Sequence, residues 1–206
     1  MFQNIFHNTK IKKIIIYLVI AVLIILIGWA FYYFQTEYGI FYSREKKEQI
    51  SEEFEKTSEN FLSKTFPADF PAAEKAAIKA IRFNKKNIDA YILLAKSLYA
   101  QSRLEEAKGI YLRGLEIDPN NFEMNFYLGN IYRDLGEFDM AEEYYKKALE
   151  INPHDITCWM NYAIFYSFDK KDWQGAAKVC EEGLKVNPDN EQLENCYETA
   201  KKNAEI

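Results

Sequence analysis

Histidine is almost missing from this chain: His7 and His154 are the two in 206 residues. Acid–base catalysis and metal-assisted chemistry need side chains that take protons, attack or hold an ion. His7 precedes a long apolar run, and His154 follows a helix-stopping proline, where a solvated turn residue is expected. Cysteine is scarce as well. Cys158, Cys180 and Cys196 lie 22 and 16 residues apart, which is no metal-ligand spacing, and their odd number argues against a disulfide framework. They read as small apolar fillers in helix packing, with an incidental pair as the alternative in an oxidising compartment. With 8 glycines and 5 prolines, the chain has no G-x-x-x-x-G-K, G-x-S-x-G or H-E-x-x-H. The acid pairs Glu105-Glu106, Glu142-Glu143 and Glu181-Glu182 recur at one helical phase, as on a solvated outer face. No catalytic residue, metal site or cofactor is therefore predicted.

Acidic residues are absent from positions 1–34, which carry only Lys10, Lys12 and Lys13 as charged groups. The rest holds 23 basic against 31 acidic side chains, a net −8 within an overall −5. Phosphate backbones require a basic surface, so nucleic acid is excluded as a partner of the folded part. What the chain does have is apolar mass, 49% hydrophobic with 16% aromatic, which rules out disorder for the C-terminal three-quarters.

Residues 14–34 form an uninterrupted apolar and aromatic run. As a helix it is about 31 Å long, the thickness of a bilayer's hydrocarbon core. A cleaved signal has a shorter apolar core followed by small residues. This run instead ends in Trp29, Tyr32, Tyr33 and Phe34, which suit a membrane interface. It predicts a retained transmembrane helix and a lipid bilayer as partner, after a short basic tail over 1–13. The flanking lysines favour a cytoplasmic N-terminus and extracytoplasmic remainder, although the basic totals on the two sides are equal.

The remainder is periodic. Pro119, Pro153 and Pro188 are separated by 34 and 35 residues, and each closes a pair of helical patterns. In the middle pair Leu128, Gly129 and Tyr132 share one face, as do Ala141, Tyr145 and Ala148. Small residues permit close helix crossing and large ones fill around it. The preceding pair repeats this with Tyr91, Leu94, Ala95, Leu98, Ala107, Tyr111 and Gly114. The following pair uses Trp159, Tyr162, Ala163, Tyr166, Ala176, Cys180 and Gly183, with its extra residue in the turn at 168–173.

This pattern resembles the tetratricopeptide repeat, W-x2-L-G-x2-Y, A-x3-F and P over 34 residues. The resemblance implies an all-α class: an α-solenoid of three to four helix hairpins behind one transmembrane helix. Repeats are expected at 88–121, 122–155 and 156–190, the last with a one-residue insertion. Residues 54–87 read as a degenerate first repeat, because Lys85 replaces the stop proline and Thr57, Asn60 and Lys64 break the apolar pattern. A juxtamembrane helix or linker fills 35–53, and a stripe of Ile50, Phe54, Phe61 and Leu62 runs across that boundary. The prolines at 67 and 71 interrupt it. Residues 191–206, with Leu193, Tyr197 and Ala200 inward, read as a capping helix over the last repeat.

In this family the first helices of successive hairpins line a concave surface that binds peptides or helices of other proteins. Carried onto this chain, that phase selects Asp89, Ile92, Leu93, Lys96 and Tyr99, then Glu123, Phe126, Tyr127, Asn130 and Arg133, then Thr157, Met160, Asn161 and Ile164. Apolar residues among polar ones suit a partner site, and Asn130 and Asn161 could hold a peptide backbone. Members that grip acidic chaperone tails use a clamp of Lys, Asn and Arg. At the matching places this chain has Ile92, Lys96, Tyr127, Thr157 and Asn161, so that specialisation is not expected. The reading is a membrane-anchored, non-enzymatic scaffold for another protein. The alternatives are a self-associating structural homo-oligomer and a regulatory subunit of a membrane-bound enzyme.

Overall fold

The computed structural model describes residues 9–39, 42–63 and 69–205, and among them every regular element is helical. His7, most of the basic tail and Pro67 lie outside the described residues.

Helix α1 (Thr9–Tyr38) reaches beyond the 14–34 run at both ends. Backbone hydrogen bonding continues through the polar flanks because no proline or glycine interrupts them. Its segment Ile16–Glu37 has a mean hydropathy of 2.4 and buries none of it, so among the described residues one helix is long and apolar enough to cross a bilayer. Gly39 ends it at φ +57°, a left-handed conformation, and sits against Phe83 so closely that an added Cβ would meet the ring's Cδ1 at 2.8 Å.

Four helix hairpins follow: α2 (Arg44–Ser63) with α3 (Phe70–Phe83), α4 (Ile88–Ala100) with α5 (Leu104–Leu115), α6 (Phe122–Asp134) with α7 (Phe138–Ile151), and α8 (Ile156–Ile164) with α9 (Trp173–Val186). Helix α10 (Glu191–Ala204) closes the far end, completing an all-α solenoid. Each of α4, α6, α8 and α10 starts at a side-chain cap. Asn87, Asn121, Asp155 and Asn190 accept from the backbone N–H three residues on, at Ala90, Met124, Cys158 and Leu193. The caps keep the 34- and 35-residue period, so the repeat is written in helix starts as well as in helix stops.

In the first hairpin the boundary expected between residues 53 and 54 falls inside a helix. α2 is one continuous helix across position 53, and its buried face carries Ser51 and Ser58. Ser51 donates to the Ala80 carbonyl at 2.8 Å and Ser58 to that of Ala73 at 2.9 Å. Opposite them α3 offers Ala73, Ala76, Ala77 and Ala80, so the two backbones approach closely across small residues. Asn87 then ties α2 to α4, donating to Ser51 Oγ at 2.9 Å and Glu55 Oε2 at 2.8 Å.

The middle hairpin packs as its large and small residues require. A Cβ on Gly129 would lie 2.8 Å from Cδ1 of Tyr145, whose ring is fully buried between the hairpins. In the last repeat the extra residue is absorbed as a π-helical turn over Phe165–Asp169, with Lys170 N donating to Phe165 O at 3.1 Å. The insertion thus begins inside the helix, a few residues before the 168–173 turn where it was expected.

Helix α10 buries Leu193 and Ala200 against the stack. The cysteines divide: Cys158 is a buried free thiol, as a filler should be, whereas Cys180 on α9 and Cys196 on α10 form a disulfide with Cα atoms 6.0 Å apart. An odd total did not prevent one pair, because the two helices that cross there bring those positions face to face.

Candidate partner-binding groove

The first helices neighbour one another toward both ends of the stack, α2 beside α4 and α4 beside α6, then α8 beside the capping helix α10. At its N-terminal end a cleft of about 490 Å³ is lined by Glu55 and Glu59 of α2, Asp89, Ile92, Leu93 and Lys96 of α4, and Glu123 of α6. Ile92 is buried and forms its floor. Lys96 pairs with Glu123, and its ammonium lies 5.4 Å from the Tyr127 ring centroid. This end is charged, and its lysine is taken up by Glu123.

The middle is an aromatic floor. Tyr127 stacks on Tyr111 of α5 at 5.6 Å and meets Tyr99 and Phe126 edge-on at 6.2 and 5.4 Å, while Phe126 stacks on Phe122 at 6.1 Å. The Tyr99 hydroxyl donates to Asp134 at 2.7 Å, and Arg133 pairs with the same carboxylate at 2.9 Å. Burial first, and then that hydrogen bond, push the Tyr99 phenol up to about 12. Beneath this floor the buried Tyr111 hydroxyl has no hydrogen-bond partner among the described residues.

Asn130 is buried in the middle hairpin rather than set out along this face. It is 7% exposed and accepts a 2.7 Å hydrogen bond from the Tyr145 hydroxyl. Helical phase placed it near the concave side, but the nearest polar group needing an acceptor is inside the hairpin, and the amide turns to it.

The C-terminal end is different in kind. A cleft of about 630 Å³ brings together Thr157, Met160, Asn161 and Ile164 of α8, Phe168 of the π-helical turn, and Gln192, Asn195 and Thr199 of α10. No charged side chain lines it among the described residues. Ile164 and Phe168 are 40% and 66% exposed, so apolar surface stands in water beside half-exposed Met160 and Asn161. Sequence reasoning missed Phe168, Gln192, Asn195 and Thr199. The last three share one face of the capping helix as uncharged polar residues at helical spacing.

Among the described residues no cluster of three or more histidine, cysteine, aspartate or glutamate side chains could hold a metal. Family models of the tetratricopeptide repeat match residues 68–122 and 125–155. Photosystem I assembly protein Ycf3 of Synechococcus sp. (strain CC9605) is 28% identical over 131 residues, 61% of this chain and 69% of that protein. Protein y4yS of Sinorhizobium fredii is 32% identical over 103 residues, 50% of this chain and 57% of its own length. Among solved structures, MamA superposes with a TM-score of 0.62 at 15% identity, covering 75% of this chain and 82% of that one. YrrB, described as a tetratricopeptide repeat protein with an unusual peptide-binding site, gives 0.59 at 20% identity, covering 74% of each chain.

Proposed function

We propose that this tetratricopeptide repeat chain is a membrane-anchored scaffold whose concave face docks a peptide or helix of another protein. The observation that carries the reading is the uncharged cleft between α8 and α10. Its exposed Ile164 and Phe168 lie beside Asn161, Gln192 and Asn195, which can pair with a peptide backbone. An apolar segment gains burial there without leaving a charge unpaired. The charged N-terminal cleft, whose lysine Lys96 is already paired with Glu123, would add specificity more than affinity.

Helix α1 anchors the scaffold in a bilayer, where its exposed apolar surface from Ile16 to Phe34 becomes an asset. The N-terminus is cytoplasmic and the repeats extracytoplasmic; the Cys180–Cys196 link supports this, because disulfides persist in oxidising compartments. The name of the Ycf3 relative describes photosystem I assembly, and a part in assembling a protein complex suits this chain as well. No catalytic role is proposed.

The test is recovery of partners by the full chain from solubilised membranes, comparing wild type with a Met160→Glu, Asn161→Ala variant. The variant should lose partner recovery several-fold at unchanged helical content. Equal recovery removes the groove assignment. If the chain recovered is another copy of itself, self-association takes its place.

A further inference from the structure

A third cleft, of about 530 Å³, opens where the apolar helix meets the solenoid. Its cations are Arg44 and Lys47 of α2 with Lys85 and Lys86 after α3, its single carboxylate is Glu48, and Phe83 is its floor. Glu48 is already engaged by Arg44 at 2.9 Å. Among the described residues, Lys47, Lys85 and Lys86 have no carboxylate within ion-pairing distance. In a chain that is acidic overall, a concentration of unneutralised lysines calls for an anion from outside.

Its position identifies that anion. α1 ends beside the cleft: Arg82 donates to the Glu37 carbonyl at 3.2 Å and pairs with its carboxylate at 3.6 Å. Gly39 lies against Phe83, and Phe83 in turn contacts Tyr42 and stacks on Phe54 at 6.0 Å. These contacts hold the cleft within a residue or two of the end of the Ile16–Glu37 span. The headgroup layer adds roughly 5–8 Å beyond each side of the hydrocarbon. That is within reach of lysine side chains at this place.

We infer that Lys47, Lys85 and Lys86 bind the phosphate of anionic phospholipid headgroups in the same bilayer that α1 crosses, so that the solenoid is held at a fixed angle to the membrane. The inference rests on the anchoring proposed above. Phe83, buried beneath Gly39 and Tyr42, fixes the floor of the cleft, and the three ammonium groups supply the charge. A fixed orientation would present the α8–α10 cleft at a constant height above the surface.

The test uses the full chain in nanodiscs of phosphatidylcholine, with and without phosphatidylglycerol, and measures amine labelling residue by residue. With phosphatidylglycerol, labelling of Lys47, Lys85 and Lys86 should fall roughly five-fold, while Lys201 and Lys202 on α10 stay unchanged. Equal labelling in both discs, with the chain co-eluting with them, overturns the headgroup site alone. Failure to co-elute overturns the anchor and this site together. If inorganic phosphate protects the same lysines in phosphatidylcholine discs, the site takes free anions and the lipid assignment is wrong.

Discussion

The hydroxyl of Tyr145 on α7 donates a 2.7 Å hydrogen bond to the side-chain oxygen of Asn130 on α6, closing the middle hairpin from inside. Both groups are buried. Tyr145→Phe should therefore cost about 1–3 kcal/mol, the penalty of a stranded buried acceptor. Tyr111→Phe should act in the opposite direction, gaining about 1 kcal/mol, because its buried hydroxyl has no partner to lose. Urea unfolding of the two variants measures the contrast. Equal signs would mean that one of the two hydroxyls is wrongly partnered.

Two helical glycines make a second opposed pair. A Cβ at Gly129 meets the Tyr145 ring at 2.8 Å, whereas at Gly109 it meets nothing within 4 Å. Gly129→Ala should lose about 1–3 kcal/mol through overpacking. Gly109→Ala should gain up to about 1 kcal/mol from helix propensity. Thermal melts of both variants decide this, and a stabilising Gly129→Ala would contradict the close crossing.

Acid should loosen the last repeat. Burial opposes ionisation of Glu142, but hydrogen bonds from Lys146 at 2.6 Å, Lys170 at 2.7 Å and Tyr166 outweigh it and hold the carboxyl down at about 2. Its folded value lies below the unfolded 4.5, so its stabilisation is complete above that pH and disappears as pH falls from 4.5 through about 2. With solvent screening at exposed Lys146 the contribution is about 1 kcal/mol. Glu142→Gln should remove that share of the acid dependence, measured as unfolding free energy against pH. An identical pH profile in the variant would refute the network.

Thiol counting tests the capping arrangement. Cys180 and Cys196 are bonded, and burial pushes the Cys158 thiol well up, out of the reactive range. A chromogenic disulfide reagent should find no thiol in the folded chain, one after unfolding, and three after unfolding with reductant. Three in the unreduced, unfolded chain would show that α9 and α10 are not linked.

Much of this fold is readable from residue order, because the signals are local and repeated. Leu128, Gly129 and Tyr132 face Ala141, Tyr145 and Ala148 at spacings that only a close helix pair satisfies, and the same set returns one period on either side. α2 was harder. Its contact with α3 runs through Ser51 and Ser58, which count as polar in any apolar pattern, yet are buried because each reaches an alanine carbonyl. Asn130 shows a related limit: phase gives the direction of a Cα–Cβ bond, while the amide beyond it turns to the partner that needs it. The α8–α10 cleft was half legible, since α8 carries the repeat's groove phase but Gln192, Asn195 and Thr199 lie on a helix read as a cover.

Position-specific photocrosslinking of the full chain in intact membranes tests the docking proposal most directly. A photoreactive residue at Met160, in the uncharged cleft, should capture one discrete partner protein. The same residue at Glu143, exposed on the outer helix α7, should capture none. Equal capture at both positions, or capture at Glu143 alone, would contradict docking at the concave face.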